Sequence, residues 1–503
     1  MPKLESIKDR ETLQQAALLL EKTVVRQSKE IARLRAENAR LRGQDISPQM
    51  ELELLREQLA AMQQKLYGPS SEKRPHTQDD AEGTDTTARR GHGPRSQPDL
   101  PMEEITHTLP EAERMCSICG QVMVEMGEQA EESEEITVVG VEYKILKHRR
   151  QKYRCRCNEQ VMTAPGPAKH IPGGRYSVDF AVHVAEQKDL DHLPLERQVK
   201  AMSRAGLETT SQTLWDQINV LARILEPTYR ALCKMALESG MVYADETFWR
   251  NHENSGTSKW WTWCVASGDI ATYRILNSRS QKAAKKVLSG FEGVAMTDGY
   301  TAYQSLARSS PNLKLAHCWA HVRRKFLEAA DFDRELSEQA VGLINRLFEI
   351  EREAPRAGPD ARADEQQRIL ELRRRLRQEK SKPVVRELLE WAGRHDGAVL
   401  PRSKLGKAIA YMLKLWEGLT RFLDDPRIPL DNNAAERALR GVVVGRKNHY
   451  GSKSKRGTEV AALFYTIFET AKLSGVDPRA YVTLAAKRAI ADHGTVTLPS
   501  DLT

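Results

Sequence analysis

Two short apolar runs, Met241–Ala244 and Val294–Met296, each lead up to an aspartate, Asp245 in MVYADET and Asp298 in VAMTDGY. Runs of this length and composition read as buried strands. An ionised carboxylate at the end of a buried strand is costly unless it is paired or binds a metal. The fold must therefore bring these charges to a place where something positive meets them. A third acid, Glu436 in DNNAAERALR, lies on a helix that opens with Asp-Asn-Asn. Three carboxylates far apart in sequence are what a two-metal phosphoryl-transfer site needs, provided the fold brings them together.

The segments around the acids predict such a fold. Met241–Glu246, Lys259–Ala266 and Ala271–Leu276 read as three consecutive strands joined by Gly- and Asn-containing turns. A helix over Ser280–Ser289 leads to a fourth strand ending at Asp298, and a short helix around Tyr300–Ala307 precedes a fifth strand, Leu313–His317. Three strands followed by alternating helix and strand is the ribonuclease H-like arrangement, in which the first and fourth strands are neighbours and Asp245 and Asp298 can share a metal. Glu246 adjoins Asp245, yet the two-residue period of a strand turns it to the opposite face, away from any shared ion. Asp269 sits in a turn and is expected to be solvated. The polar, charged stretch from Trp319 to Leu423 reads as a helical insertion, with Leu405–Leu423 apolar enough to buttress the core. The core is thus expected in two parts, residues 236–320 and 426–503, around an insertion at 321–425. His317, Cys318 and His321 follow the fifth strand. A Cys-x2-His pair supplies only two ligands, so a structural or DNA-positioning role is expected for His317 and His321 rather than a second zinc site.

In Pro429–Arg437, Asp431 or Asn432 caps the helix, and Asn432 and Asn433 lie four and three residues before Glu436, on its face. They are placed to support the carboxylate or a metal-bound water. From Arg437 to Thr458 there are seven Lys/Arg and no acid. The segment Gly445–Lys453 reads as a phosphate-binding loop with an aromatic to stack on a base, or as an ordinary surface loop. Arg437, Arg440, Arg446, Lys447, Tyr450 and Lys453 are its candidate DNA contacts.

Upstream, residues 11–42 carry a heptad pattern, with Leu13, Leu20, Leu34 and Leu41 at d and Asn38 at an a position. A buried Asn at a often fixes register and dimeric state. The pattern resumes after Pro48, so a leucine-zipper coiled coil is expected over 1–67 and, through it, a homodimer or higher oligomer. Residues 68–100 have the Gly, Pro, Ser and charge content of a flexible linker. A zinc-binding module follows over 101–175. Cys116-x2-Cys119 and Cys155-x-Cys157 supply four thiolates, enough for tetrahedral zinc. Alternation over Glu134–Tyr143 and Tyr143–Tyr153 predicts a hairpin joining the two pairs. Arg149 and Arg150 beside them either face DNA phosphates or lie on a solvated strand edge. Residues 176–235 read as helical, with helix-turn-helix character across Leu195–Arg204, Gly206 and Thr210–Leu225. An ordinary helical pair fits that stretch equally well.

The 77 basic and 69 acidic residues give +8 and a pI near 9.0, which favours an anionic partner without deciding it. With mean hydropathy −0.57 and no apolar run near twenty residues, no membrane span is expected. A charged N-terminus and an odd number of cysteines suit a cytoplasmic, reducing setting.

These motifs together resemble the insertion-sequence-66 family of transposases. The likeness runs nearly end to end. It rests on the zipper with Leu66-Tyr67-Gly68 and Ser71-Glu72-Lys73, the four cysteines, Ala244–Thr247, Thr297–Tyr300, His317–His321 with Arg323–Phe326, and Asp431–Arg437. Tyr67 stands where Phe is common in the family. The resemblance implies an Asp-Asp-Glu recombinase with its triad on Asp245, Asp298 and Glu436, two Mg²⁺ (or Mn²⁺) ions and one structural zinc. Its partners would be double-stranded DNA, at the element ends and the target, and accessory proteins of the same element. Hydrolysis would free a 3′-hydroxyl at the element end, and that hydroxyl would attack target DNA. A zipper and zinc-finger regulator would account for residues 1–225 but not for the carboxylates. A nuclease on the same fold would cut without joining. Overall the expected architecture is multidomain α/β, a ribonuclease H-like core with a helical insertion, preceded by coiled coil, zinc module and helical DNA-binding region.

Overall fold

All five strands expected in residues 236–320 are present in a computed structural model, which describes residues 142–149, 152–154, 161–163, 166–253, 258–354 and 362–502. The zipper segment, the linker and all four zinc-module cysteines lie outside the described residues. At the edge of that module, β1 (Lys152–Arg154) pairs antiparallel with β2 (Val161–Thr163). Of the hairpin expected over Glu134–Tyr143 and Tyr143–Tyr153, most of the first arm lies outside the described residues, residues 142–149 carry no strand, and Lys152 and Tyr153 belong to β1. Alternation marks a strand without choosing its partner, and the short connection to Val161 makes the local downstream pairing the cheaper one to close.

Four helices come next: α1 (Val178–Asp189), α2 (Leu195–Arg204), α3 (Ser211–Ile224) and α4 (Glu226–Leu237). The turn between α2 and α3 places Gly206 at φ +80°, and the Thr210 hydroxyl caps α3 by accepting from the Thr213 amide. The helix pair foreseen there is formed. It does not bury its apolar side alone, however. Met202, Leu214, Ile218 and Leu221 share one core with residues of α1 and of two C-terminal helices, α14 (Lys455–Leu473) and α15 (Pro478–Ala491). Residues 176–235 are therefore one half of a helical body completed by the chain's end, because a pair of amphipathic helices cannot cover its own apolar stripe.

The main sheet is built from β3 (Met241–Arg250), β4 (Lys259–Ser267), β5 (Ile270–Leu276), β6 (Gly293–Thr297) and β7 (Leu313–His317), in the order β5-β4-β3-β6-β7. The first three form antiparallel pairs, whereas β6 runs parallel to both β3 and β7. Parallel neighbours need a crossover. It is supplied by α5 (Gln281–Val287) before β6 and α6 (Thr301–Arg308) after it. Along β3 the two-residue period sends Val242, Ala244 and Glu246 to the face covered by α5 and α6. Tyr243, Asp245, Thr247 and Trp249 point to the other face, against α13 (Asn433–His449) and α14. The edge strand β5 is closed by α14, where the Tyr273 amide donates to Thr466 Oγ1 at 3.0 Å and the Ala271 amide to Thr470 Oγ1 at 3.3 Å. Covering an edge in this way removes a template for unwanted strand pairing.

Between β7 and α13 stands the helical insertion: α7 (Trp319–Ala329), α8 (Arg334–Glu353), α9 (Ala363–Leu376), a π-helical turn at Arg377–Ser381, α10 (Lys382–His395), α11 (Lys404–Lys414) and α12 (Trp416–Thr420). Phe326, Ile344, Leu388, Ile409 and Leu419 join Met296 and Ala316 of the sheet in one apolar cluster, so α11 and α12 do buttress the core. No described helix is long and apolar enough to cross a membrane.

Candidate active site

Asp245 lies on β3 opposite Cys264 of β4, on the face that receives α13. Its Oδ1 accepts from the Glu246 amide at 2.8 Å. Burial, followed by the neighbouring charges of Glu246, Asp298 and Glu436, pushes its carboxyl up to about 7. The three acids singled out in the sequence thus lie close enough for their charges to act on one another. Glu246 acts from the other side of the strand. It is buried, bound at Oε1 by the Arg279 guanidinium at 2.7 Å and at Oε2 by the Tyr303 hydroxyl at 2.7 Å. The Arg279 guanidinium lies over the Tyr300 ring, 3.8 Å from its centroid, and 4.7 Å from that of Trp261.

Asp298 follows β6 in a turn held by two hydrogen bonds. Its Oδ1 accepts from the Tyr300 amide at 2.8 Å, and its carbonyl accepts from the Tyr411 hydroxyl on α11. Gly299 has φ +87°, a left-handed conformation that favours glycine, and a Cβ there would press on the Leu415 side chain just after α11.

Glu436 stands in the first turn of α13. The start of that helix is clamped by Asn432, which is fully buried. Its Nδ2 donates to the Ala244 carbonyl at 3.1 Å and its amide to Cys318 Sγ at 3.3 Å. Asn433 closes a turn on Asp431 Oδ1 at 3.1 Å. Asn432 therefore positions the helix and does not contact the carboxylate, while one Glu436 oxygen, Oε1, is buried with no hydrogen-bond partner. His321 Nε2 lies 3.8 Å from that oxygen. Burial holds the His321 imidazole below its usual range although Glu436 pulls the other way. His317 is turned aside. It pairs with Thr297 Oγ1 at 3.2 Å, packs against Gly418, and is driven by burial down to about 4.

Asp245, buried and raised by its acidic neighbours, and the unpartnered Oε1 of Glu436 are groups whose charge a hard divalent cation would relieve, although the three carboxylates do not bring one oxygen each within 4.8 Å of one another. All-oxygen donors suit Mg²⁺ or Mn²⁺. The same face continues into a basic surface. Arg437, Arg440, Lys447, Tyr450 and Lys453 are exposed, and Arg149 is exposed elsewhere on the chain. Arg150 lies outside the described residues.

Arg446 differs. It donates to Thr247 Oγ1 at 3.0 Å and to the Phe248 carbonyl, tying α13 to β3. The stretch from Gly445 onward was expected to be a loop, but α13 runs through His449 and Tyr450 ends it in a left-handed conformation at φ +59°. Packing of Val442 and Arg446 on the sheet carries the helix past its glycines. The Arg279–Glu246–Tyr303 network and the Tyr411 hydrogen bond had no sequence signal, since their partners are joined only by the fold.

Comparison with known proteins gives two family matches. Residues 173–460 match the family described as Transposase IS66 family, and residues 113–158 match the zinc-finger binding domain of transposase IS66. The second span contains Cys116, Cys119, Cys155 and Cys157. Among similar chains is the uncharacterized protein y4jD of Sinorhizobium fredii (strain NBRC 101917 / NGR234), 32% identical over 402 residues, covering 76% of each chain. The uncharacterized protein y4qI of the same organism is 32% identical over 410 residues, 78% of this chain and 73% of its own.

Proposed function

The chain belongs to the IS66 transposase family, and from that premise we propose that it cleaves the ends of its own insertion sequence and joins the freed 3′-hydroxyls to target DNA. The observation that carries this is Asp245, lifted to about 7 by burial and then by the charges of Glu246, Asp298 and Glu436. The order β5-β4-β3-β6-β7, with Asp245 on β3, Asp298 just past the end of its parallel neighbour β6 and the glutamate on a later helix, supports a ribonuclease H-like core.

Asp245, Asp298 and Glu436 would hold two Mg²⁺ or Mn²⁺ ions, which supply Lewis-acid stabilisation of the attacking and leaving oxygens when bound. The remaining roles belong to the chain itself. Asn432 fixes the approach of α13 so that Glu436 meets the aspartates. Tyr411 and Gly299 fix the Asp298 turn. Arg437 and Arg440 lie one residue and one turn beyond Glu436 and can neutralise the phosphates that flank the scissile bond. Cys116, Cys119, Cys155 and Cys157 would hold one structural zinc, and the zipper over 1–67 would pair two copies so that both element ends are gripped together. Accessory proteins of the element would complete the assembly.

The test is a Mg²⁺-dependent assay on DNA carrying the sequences that flank the gene, scoring both nicking and joining to a second duplex. The expected result is both products from the wild type and neither from Asp245→Asn, with DNA binding retained. Retained cleavage in that variant removes the triad assignment, and cleavage without joining leaves a nuclease.

A further inference from the structure

Cys318, at the N-cap of α7, and His321, one turn into it, fall on the same side of the helix, and Glu436 approaches them from α13. One ligand atom from each, a sulfur, a ring nitrogen and a carboxylate oxygen, all lie within 4.8 Å of one another. His321 Nε2 and Glu436 Oε1 are 3.8 Å apart. Ligands of tetrahedral zinc, at about 2.0–2.3 Å from the ion, stand roughly 3.3–3.8 Å from each other. Bringing the three onto one ion therefore needs movements on the order of an ångström, within the reach of side-chain rotation. Two of the polar atoms are also unsatisfied: His321 Nδ1 and Glu436 Oε1 are buried without a hydrogen-bond partner. The Asn432 amide donates to the Cys318 sulfur from 3.3 Å, but burial pushes the thiol up to about 11, so a metal bound there must displace its proton. Sequence spacing offered only two ligands, Cys318 and His321. The third comes from a helix more than a hundred residues later.

We propose that Cys318, His321 and Glu436 form a second divalent-cation site, selective for thiophilic ions such as Zn²⁺, that shares Glu436 with the Asp245–Asp298 pair. Mg²⁺ does not take thiolate and imidazole ligands, whereas zinc prefers them. Glu436 cannot serve both positions at once. Zinc bound beside His321 draws the glutamate away from the aspartates, so zinc inhibits Mg²⁺-supported cleavage by competing for one ligand. Water or a substrate oxygen completes the fourth position. His321 and Glu436 are each about one-fifth exposed, at 21% and 24%, which leaves a route for the ion from the active-site side.

Binding does not depend on the proposed catalytic function; inhibition does. Two measurements separate them. Zinc content of the full chain after equilibrium dialysis against micromolar Zn²⁺ is compared for wild type, Cys318→Ser, His321→Gln and Cys116→Ser. Each of the first two variants is expected to hold one equivalent less than wild type. Cys116→Ser reports the finger, and its loss should add to theirs in a double variant. Should Cys318→Ser fail to fold, His321→Gln decides alone, because its side chain is partly exposed. Wild-type zinc content in a folded His321→Gln overturns the proposal. In the second measurement, zinc inhibition of DNA cleavage is read relative to each protein's own zinc-free rate. Because losing even an outer-sphere partner weakens metal sites roughly 10- to 100-fold, the inhibitory zinc concentration should rise about tenfold or more in His321→Gln. Unchanged inhibition overturns the shared-ligand mechanism. A chain that never cleaves DNA refutes the catalytic function instead, and the zinc content still decides the site.

Discussion

Asn432 Nδ2 donates a 3.1 Å hydrogen bond to the carbonyl of Ala244, the residue immediately before Asp245. The helix that presents Glu436 is thereby fastened to the strand that presents Asp245, across 188 residues of sequence. Asn433, beside it, engages Asp431 through its backbone amide instead. Asn432→Ala removes the clamp and leaves a small buried gap. The expected cost is about 1–2 kcal/mol of stability, measurable in urea unfolding. Cleavage should fall by far more than that modest loss explains, with DNA affinity retained. Wild-type cleavage in a folded Asn432→Ala would show that the clamp is not needed to place Glu436.

Asp245 makes a prediction of opposite sign for stability and for activity. Its carboxyl is raised from an ordinary 3.8 to about 7. A group raised in the folded state contributes stability that is fully present below the unfolded value and lost as pH rises through the folded one. Metal-free wild type should therefore lose stability between about pH 4 and pH 7, by up to about 4 kcal/mol if the whole shift is expressed. Asp245→Asn lacks that loss. Its Tm, relative to wild type, should rise between about pH 4 and pH 8 in chelator, while Mg²⁺ should stabilise only the wild type. A parallel pH profile for the two proteins would remove Asp245 as the repelled carboxylate.

Glu246 and Arg279 form a pair whose acid is wholly buried and whose guanidinium is 31% exposed. Arg279→Ala strands the carboxylate, with Tyr303 as its remaining side-chain partner. Breaking a buried pair costs about 3–5 kcal/mol, and the exposure of Arg279 lowers the expectation to roughly 2–3. Glu246→Gln with Arg279→Ala should recover most of the loss, because no buried charge remains. Additive losses in this double-mutant cycle would mean that the two side chains act independently.

Arg440 and Lys453 are exposed on and just beyond α13. If they meet phosphates, removing both should lower the slope of log affinity against log salt by about 2, since each phosphate left un-neutralised subtracts about 0.9. Arg446→Ala should behave otherwise. Its guanidinium holds Thr247 and Phe248 of β3, so its loss should appear in thermal unfolding.

The contrast between these basic residues marks how far the sequence could be read. Asp245 and Asp298 were legible because each ends a short apolar run and the order of runs implies which strands adjoin. The opposite facing of Glu246 followed from the two-residue period alone. Arg446 was not legible. Whether a helix stops at Gly445 or continues to His449 depends on how Val442 and Arg446 pack against a strand far earlier in the chain, and local composition carries none of that. The Asn432 clamp and the Glu436 contribution to the Cys318–His321 cluster were hidden for the same reason. The partner of each side chain is supplied by tertiary structure.

Tyr450 separates stability from function most directly. It ends α13 at φ +59° and ψ +16°, a left-handed conformation that costs an ordinary side chain about 1 kcal/mol and glycine almost nothing. Its ring is 70% exposed, so little packing offsets the strain. The adjoining Gly451, at φ +103°, already takes the harder position against the Arg250 backbone. Tyr450→Gly should therefore raise stability slightly, by about 0.5–1 kcal/mol. An exposed aromatic kept in a strained cap beside a basic surface is suited to stacking on an unpaired base, an interaction worth about 1–3 kcal/mol. The same variant should then bind single-stranded or frayed element ends about tenfold more weakly, which fluorescence anisotropy would measure. Greater stability with undiminished binding would leave the tyrosine without a role in DNA recognition.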